Sequence, residues 1–263
     1  MKQIILAHGL KRSGLHGVLN WVQAHGSFHF FNNLIPQARL LSGEKEFPEQ
    51  LKFDDWLAGE LAVKRAKLRG RISLRRLRKA AIFGVSRFMG LLEDHELSVC
   101  PFTDPPCKVQ NILILRDPVN LFASRIHKSA LRPGSLVYPD TNNEFMQRAT
   151  NLWKKHAREF IGETDELQNR VGIYYNRWFT DRAYREQISG QLGMRFKDSG
   201  FGRLSKHGGG SSFDGKKIES KVEDLSVLSR SKQLSEEHAA LLEEVIDDEM
   251  KELAAELEKV ASS

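Results

Sequence analysis

The chain has 263 residues, enough for a full hydrophobic core, with 40% hydrophobic and 28% charged residues and a formal net charge of +6. The two cysteines, Cys100 and Cys107, imply no disulfide framework, and without nearby histidines they make a poor metal site. No apolar run is long enough for the core of a signal peptide or for a membrane span. We therefore expect a cytoplasmic protein whose positive charge favours anionic ligands.

Five short apolar runs predict buried strands, at residues 4–7, 28–31, 88–92, 112–115 and 171–175. Helical patterns between these runs predict an α/β fold of three layers, like that of the P-loop NTPases. Its mostly parallel central sheet has about five strands with helices on both faces, plus helical insertions. Since the chain shows no internal repeat and no long linker, we predict a single domain over residues 1–263.

Apolar spacing predicts the helices in chain order. The predicted helices cover residues 14–24, 53–85 with a break near Gly70, 119–130, 143–163, 179–192, and one final helix from the Ser235 N-cap to about Leu257. Residues 206–217 are rich in glycine, serine and lysine, which predicts a loop.

The first turn after a predicted strand reads HGLKRSGLHG, at residues 8–17. Gly9 and Gly14 have the G-x-x-x-x-G spacing of a Walker loop, but its Lys and Ser/Thr are replaced by Leu15 and His16. Without that hydroxyl the loop lacks the magnesium ligand of a kinase or ATPase. Main-chain N–H groups and the cations Lys11 and Arg12 predict an anion site, and the alternative is an ordinary strand-to-helix turn with exposed cations.

A second pattern, ILRDPVNLFAS, places Arg116 at the carboxyl end of a predicted strand and Ser124 two turns into a helix. Ligands of open α/β sheets bind at such strand ends, where an arginine can contact a phosphate through two N–H groups. The alternative is a structural Arg-Asp pair that ends the strand, with Pro118 starting the helix.

Together the two patterns resemble the sulfotransferase family that uses 3′-phosphoadenosine 5′-phosphosulfate (PAPS) as sulfuryl donor. The matches are Arg12-Ser13-Gly14 for the loop that binds the 5′-phosphosulfate, and Arg116-Asp117-Pro118 with Ser124 for the 3′-phosphate. Residues 173–194, 206–217 and 234–250 also resemble family segments. The resemblance implies PAPS, no metal, and donor-binding residues Arg12, Ser13, Gly14, Leu15, His16, Arg116, Ser124, Tyr175, Ser211, Ser212 and Phe213.

Leu15 and His16 depart from the small hydroxyl residues usual in the family, so part of the phosphate contact is expected from main-chain groups. No tryptophan matches the residue that stacks on adenine in the cytosolic animal enzymes. Tyr175 or Phe213 is the expected replacement.

The resemblance also implies catalytic roles. Arg12, assisted by Lys11, would stabilise the charge that grows on the departing phosphate. The family places a general base at the end of a strand before the R-[DN]-P strand, which here corresponds to Glu93 or Asp94, with His95 behind them. The alternative is that these acidic residues form a solvated turn.

The expected reaction moves a sulfuryl group to a hydroxyl or amine of a small-molecule, glycan or lipid acceptor. Residues 35–85 are expected to form a basic helical insertion near the acceptor site. The cations of residues 64–87 are either the polar face of helices or a contact with an anionic surface; nucleic acid is not expected, because few aromatics are interleaved. The alternatives are a P-loop kinase of nucleotides or small molecules and a non-catalytic polyanion-binding protein.

Overall fold

A parallel sheet of five strands organises the part of the chain that the structure describes. This computed structural model describes residues 3–26, 28–32, 34, 87–98, 102, 105–130, 144–202 and 226–262. All four strand pairs are parallel, in the order β2-β3-β1-β4-β5. The strands are β1 (Gln3–Gly9), β2 (His29–Phe31), β3 (Arg87–Glu93), β4 (Val109–Leu115) and β5 (Arg170–Tyr174), which confirms the five predicted strands.

The described helices follow most of the predicted ones. They are α1 (Leu15–Ala24), α2 (Pro118–Ala130), α3 (Glu144–Ile161), α4 (Tyr175–Thr180), α5 (Arg182–Gln191), a 3₁₀ turn (Arg230–Gln233), α6 (Glu236–Val245) and α7 (Asp248–Ser262). None of these described helices is long and apolar enough to cross a membrane. The predicted helices within residues 53–85, the basic segment 64–87 except Arg87 in β3, and the loop 206–217 lie outside the described residues.

Two helix predictions were wrong in their boundaries. The segment predicted as one helix over residues 179–192 belongs to two helices, because Asp181 is extended and its carboxylate accepts from the N–H groups of Ala183 and Tyr184. The predicted final helix is also two, since Ile246 is extended and the Asp247 carboxylate caps α7 through Met250 N at 2.9 Å.

Helices cover both faces of the sheet, which confirms the three-layer α/β fold. On one face α1, α4 and α5 pack against inward residues of the four longer strands, such as Ile5, Met89 and Ile114. On the other face α2, α3, α6 and α7 form a second core around Leu115 and Tyr174. Because the strands are buried on both faces, their sequences are continuous apolar runs rather than alternating ones.

The carboxyl end of β1 lies between those of β3 and β4. Gly9 pairs with Glu93 on one side and with Ile114 on the other. The turn after β1, the end of β3 and the start of the segment after β4 therefore meet at one edge of the sheet. In an open parallel sheet this edge is where ligands bind.

The outer edge of β5 is closed by one tyrosine hydroxyl. The Tyr184 hydroxyl accepts from the N–H of Tyr174 at 3.0 Å and donates to the carbonyl of Gly172 at 3.4 Å. These are main-chain groups of the last strand among the described five, where another chain could otherwise pair. Tyr184 is itself buried in the core.

Replacing Tyr184 by phenylalanine is expected to lower the free energy of unfolding by about 1–3 kcal/mol, because two main-chain groups at a buried position lose their partner. Tyr174→Phe is the matched control, since its hydroxyl contacts Glu258 at 3.2 Å and no main-chain group of the sheet edge. Urea unfolding of both variants measures the difference. A Tyr184→Phe protein as stable as the control would contradict this role.

Candidate active site

The turn after β1 has the backbone of an anion-binding loop. Arg12 (φ 74°) and Gly14 (φ 80°) are both left-handed, and Ser13 N donates to the Leu10 carbonyl at 3.1 Å. A Cβ on Gly14 would lie 2.0 Å from the Tyr175 ring, so this position requires glycine for space as well as conformation. Helix α1 starts immediately afterwards, and its N-terminal dipole favours negative charge at the loop.

Ser124 on α2 joins two arginines that are far apart in the chain. Its hydroxyl oxygen accepts from Arg12 Nε and from Arg230 Nη1, each at 2.9 Å. Both lone pairs of the Ser124 oxygen are therefore used, and Ser124 can still donate its hydroxyl proton. Arg230 also donates its main-chain N–H to Asn120 on the same helix, at 2.7 Å.

Arg116 connects the loop to the segment that carries Arg230. The side chain is buried, and its Nη1 donates to the Arg12 carbonyl at 3.0 Å while Nη2 donates to the carbonyl of Val227. The guanidinium lies 5.3 Å from the centroid of the Tyr175 ring. Among the described residues its buried Nε has no hydrogen-bond partner, although Asp117 is 3.8 Å away. Three guanidinium groups therefore gather beside the loop.

Asp94 is held as a carboxylate at the end of β3. It accepts from the Lys11 N–H at 2.9 Å and forms an ion pair with Arg125 on α2. Burial alone would raise the pKa of Asp94, but Arg125, Lys11 and the hydrogen bond from the Lys11 N–H outweigh it, and the pKa is lowered. Asp94 is therefore ionised at neutral pH.

Glu93 has the opposite character. Its side chain is buried and makes no hydrogen bond with the described residues. Burial, with a smaller contribution from the charge of Asp94, raises the pKa of Glu93 to about 7, against the attraction of Lys11, Arg125 and Arg12. A carboxyl group that titrates near neutral pH is suited to exchanging protons with a substrate.

Three buried histidines lie close to the two carboxyl groups. His95 is buried, and its carbonyl accepts from Nε2 of His156 on α3 at 3.2 Å. Burial lowers the pKa of His156 to about 4, and it does the same for His8 on β1. The side chains of His156 and His8 are therefore uncharged at neutral pH.

Leu15 and His16 have separate surroundings. Leu15 is a core residue of α1 whose side chain lies against Gly9. The Nε2 of His16 is 2.9 Å from the Asn32 side-chain oxygen, after β2. Neither position offers the hydroxyl that binds magnesium in a Walker loop.

Ser13 and Tyr175 are both buried at the loop. The Ser13 hydroxyl has no hydrogen-bond partner among the described residues. The Tyr175 ring lies over Gly14 and stacks on Trp178 and Phe179, with centroid distances of 5.7 and 6.0 Å. Ser211, Ser212 and Phe213 lie outside the described residues.

Sequence reasoning missed two arginines of this site. Arg125 follows Ser124 directly in the RDP segment, so its position next to a predicted site residue could have indicated it. Arg230 lies 106 positions from its partner Ser124 in a segment without a recognisable pattern. In the part of the chain that the structure describes, no group of three or more His, Cys, Asp or Glu side chains is arranged to bind a metal ion.

Comparisons with known proteins give likenesses to solved structures. No protein-family model and no curated protein matches the chain. A solved sulfotransferase domain from the curacin biosynthetic pathway is similar over 98% of both chains, with 13% sequence identity and a TM-score of 0.47.

Proposed function

We propose that this protein is a PAPS-dependent sulfotransferase. It would move a sulfuryl group to a hydroxyl or amine of a small-molecule, glycan or lipid acceptor and release adenosine 3′,5′-bisphosphate. The observation that carries the proposal is the gathering of Arg12, Arg116 and Arg230 beside the loop after β1, with the buried carboxyl of Glu93 at the same sheet edge.

The described residues fit a donor that carries phosphate groups. Three guanidinium charges lie together around the neutral hydroxyl of Ser124 and the carbonyl of Arg12, and an anion would offset their mutual repulsion. The Ser13 hydroxyl and Arg116 Nε are buried polar atoms without hydrogen-bond partners among the described residues. Oxygens of a phosphate or sulfate can accept hydrogen bonds from both.

In the proposed reaction, different residues would act on the leaving group and on the acceptor, on opposite sides of the reacting sulfur. Arg12 and Lys11 would stabilise negative charge on the oxygen between sulfur and the 5′-phosphate as that S–O bond breaks. Glu93 would take the proton of the acceptor hydroxyl or amine as its oxygen or nitrogen bonds to sulfur. The proton ends on Glu93, and the electron pair of the broken bond ends on the phosphate. No step requires a metal ligand from the loop.

Titration calorimetry with adenosine 3′,5′-bisphosphate, ADP and ATP with Mg²⁺ tests the donor class. We expect the bisphosphate to bind most tightly, and Arg116→Ala to weaken its binding at least about tenfold, since a buried charged hydrogen bond contributes roughly 1.5–3 kcal/mol. Arg148→Ala, an exposed arginine on α3, is the control and should leave the affinity unchanged.

Three results would overturn the proposal. Preference for ATP with Mg²⁺ would favour a kinase. Unchanged bisphosphate affinity in folded Arg116→Ala would remove this site from donor binding. Tight binding of the bisphosphate without sulfuryl transfer to any member of an acceptor panel would indicate a non-catalytic anion binder.

A further inference from the structure

The Asp94 carboxylate connects three separate parts of the fold. Asp94 follows β3 with a left-handed backbone (φ 60°), and its N–H donates to the Gly9 carbonyl at 3.0 Å. Its side chain accepts from the main-chain N–H of Lys11 in the loop and from Arg125 on α2. An aspartate in this conformation is expected where surrounding contacts fix it.

Two consecutive residues of α2 therefore hold two consecutive residues of the loop. Ser124 accepts from the side chain of Arg12, and Arg125 holds the main chain of Lys11 through Asp94. Helix α2 thus fixes the backbone and a side chain of the loop at the same time. Removing Arg125 would leave a buried carboxylate without its ion pair and free one side of this arrangement.

The same contacts give the two adjacent carboxyl groups, Glu93 and Asp94, different protonation behaviour. The charged groups that act on Glu93 are Asp94 beside it, Lys11 and Arg12 from the loop, and Arg125 from α2. The charges of Lys11 and Arg125 lower the pKa of Asp94, and its carboxylate binds both residues, through the Lys11 N–H and the Arg125 guanidinium. His156 on α3 also lies near Asp94, and it is neutral. Of these two carboxyl groups, Glu93 is therefore the one that can accept and release a proton near neutral pH.

We propose that Arg125 is a positioning residue that holds Asp94 against the loop as a permanent carboxylate and leaves Glu93 as the proton acceptor. The role of Glu93 as base rests on the proposed sulfotransferase function. The arrangement of charges does not, and it is testable without any substrate.

The test is the titration of Glu93, followed by NMR in protein with ¹³C-labelled glutamate carboxyls, with the resonance assigned by its loss in Glu93→Gln. In Asp94→Asn the midpoint should fall by about one pH unit, because the neighbouring negative charge is gone. The new amide oxygen can still accept from the Lys11 N–H. In Arg125→Gln the midpoint should rise by about one unit, because a cation is lost.

The opposite directions distinguish this role from a purely structural one. Arg125→Lys keeps the charge and should restore the wild-type midpoint. Arg158→Gln, an arginine on α3 that pairs with Glu249 and Glu163, is the control and should not move it. Equal midpoints in Asp94→Asn and wild type would overturn the proposal, and so would a shift in the same direction in Arg125→Gln and Asp94→Asn.

If Arg125→Gln does not fold, Arg125→Lys takes its place, and a Glu93 midpoint in that variant about one unit away from the wild-type value would overturn the role of Arg125. Failure of the sulfotransferase function would be seen separately, as absence of adenosine 3′,5′-bisphosphate binding by the unmodified protein.

Discussion

Glu93→Gln is expected to reduce sulfuryl transfer to a hydroxyl acceptor by about 10²- to 10⁴-fold, the usual contribution of a positioned general base. The glutamine keeps the shape of the side chain but cannot accept the proton. Affinity for adenosine 3′,5′-bisphosphate should change little, because the groups proposed to bind it are Arg12, Arg116 and Arg230, and Glu93 makes no hydrogen bond with them. Transfer of radiolabelled sulfate from PAPS, together with calorimetry, measures the two effects separately.

Glu96→Gln is the matched control for this variant. Glu96 lies in the same turn, but its side chain is 43% exposed and pairs with Lys155 at the surface, so its replacement should leave transfer unchanged. A much smaller decrease in Glu93→Gln would indicate an amine acceptor, which needs less help from a base. Full activity in Glu93→Gln with a hydroxyl acceptor would exclude Glu93 as the base.

Arg12→Ala is expected to lower transfer by about 10²- to 10³-fold, the range for removing one preorganised donor at a position where charge develops. It removes the hydrogen bond to Ser124 and the guanidinium charge that would stabilise the departing phosphate in the proposed reaction. The fold should persist, because Arg12 is half-buried and belongs to none of the hydrophobic core clusters. Transfer rates and urea unfolding of the same preparation test both statements.

Arg12→Lys provides the comparison for the shape of the side chain. It retains the charge without the planar fork, so its transfer rate should lie between those of the wild type and Arg12→Ala. A rate for Arg12→Ala within about threefold of the wild type would be incompatible with transition-state stabilisation by this residue.

The fold was largely predictable because buried parallel strands are continuous apolar runs. The polar start of β4, at Val109–Asn111, was missed since it lies outside such a run. Tyr175 was predicted as the end of the last strand, whereas it begins α4 and packs over Gly14. The breaks at Asp181 and Asp247 depend on side-chain caps, which apolar spacing does not reveal.

The candidate site was predictable where its residues follow one another in the chain. The loop at Arg12 and the RDP segment are local patterns next to strands, and both lie at the predicted sheet edge. Arg230 acts through Ser124, a partner that no local pattern connects to it. Which of Glu93 and Asp94 is the better candidate for the base depends on their burial and on the ion pair with Arg125. Neither can be read from two adjacent acidic residues in the sequence.

The hydrogen bonds that shape the loop also bear on how the protein folds. They join residues 83 to 112 positions apart: Lys11 with Asp94, Arg116 with Arg12, and Arg12 with Ser124. Such contacts form only after long stretches of chain have been closed, which is entropically costly. We expect the site to assemble late in folding, after the sheet. Substitutions that weaken it should then accelerate unfolding more than they slow refolding.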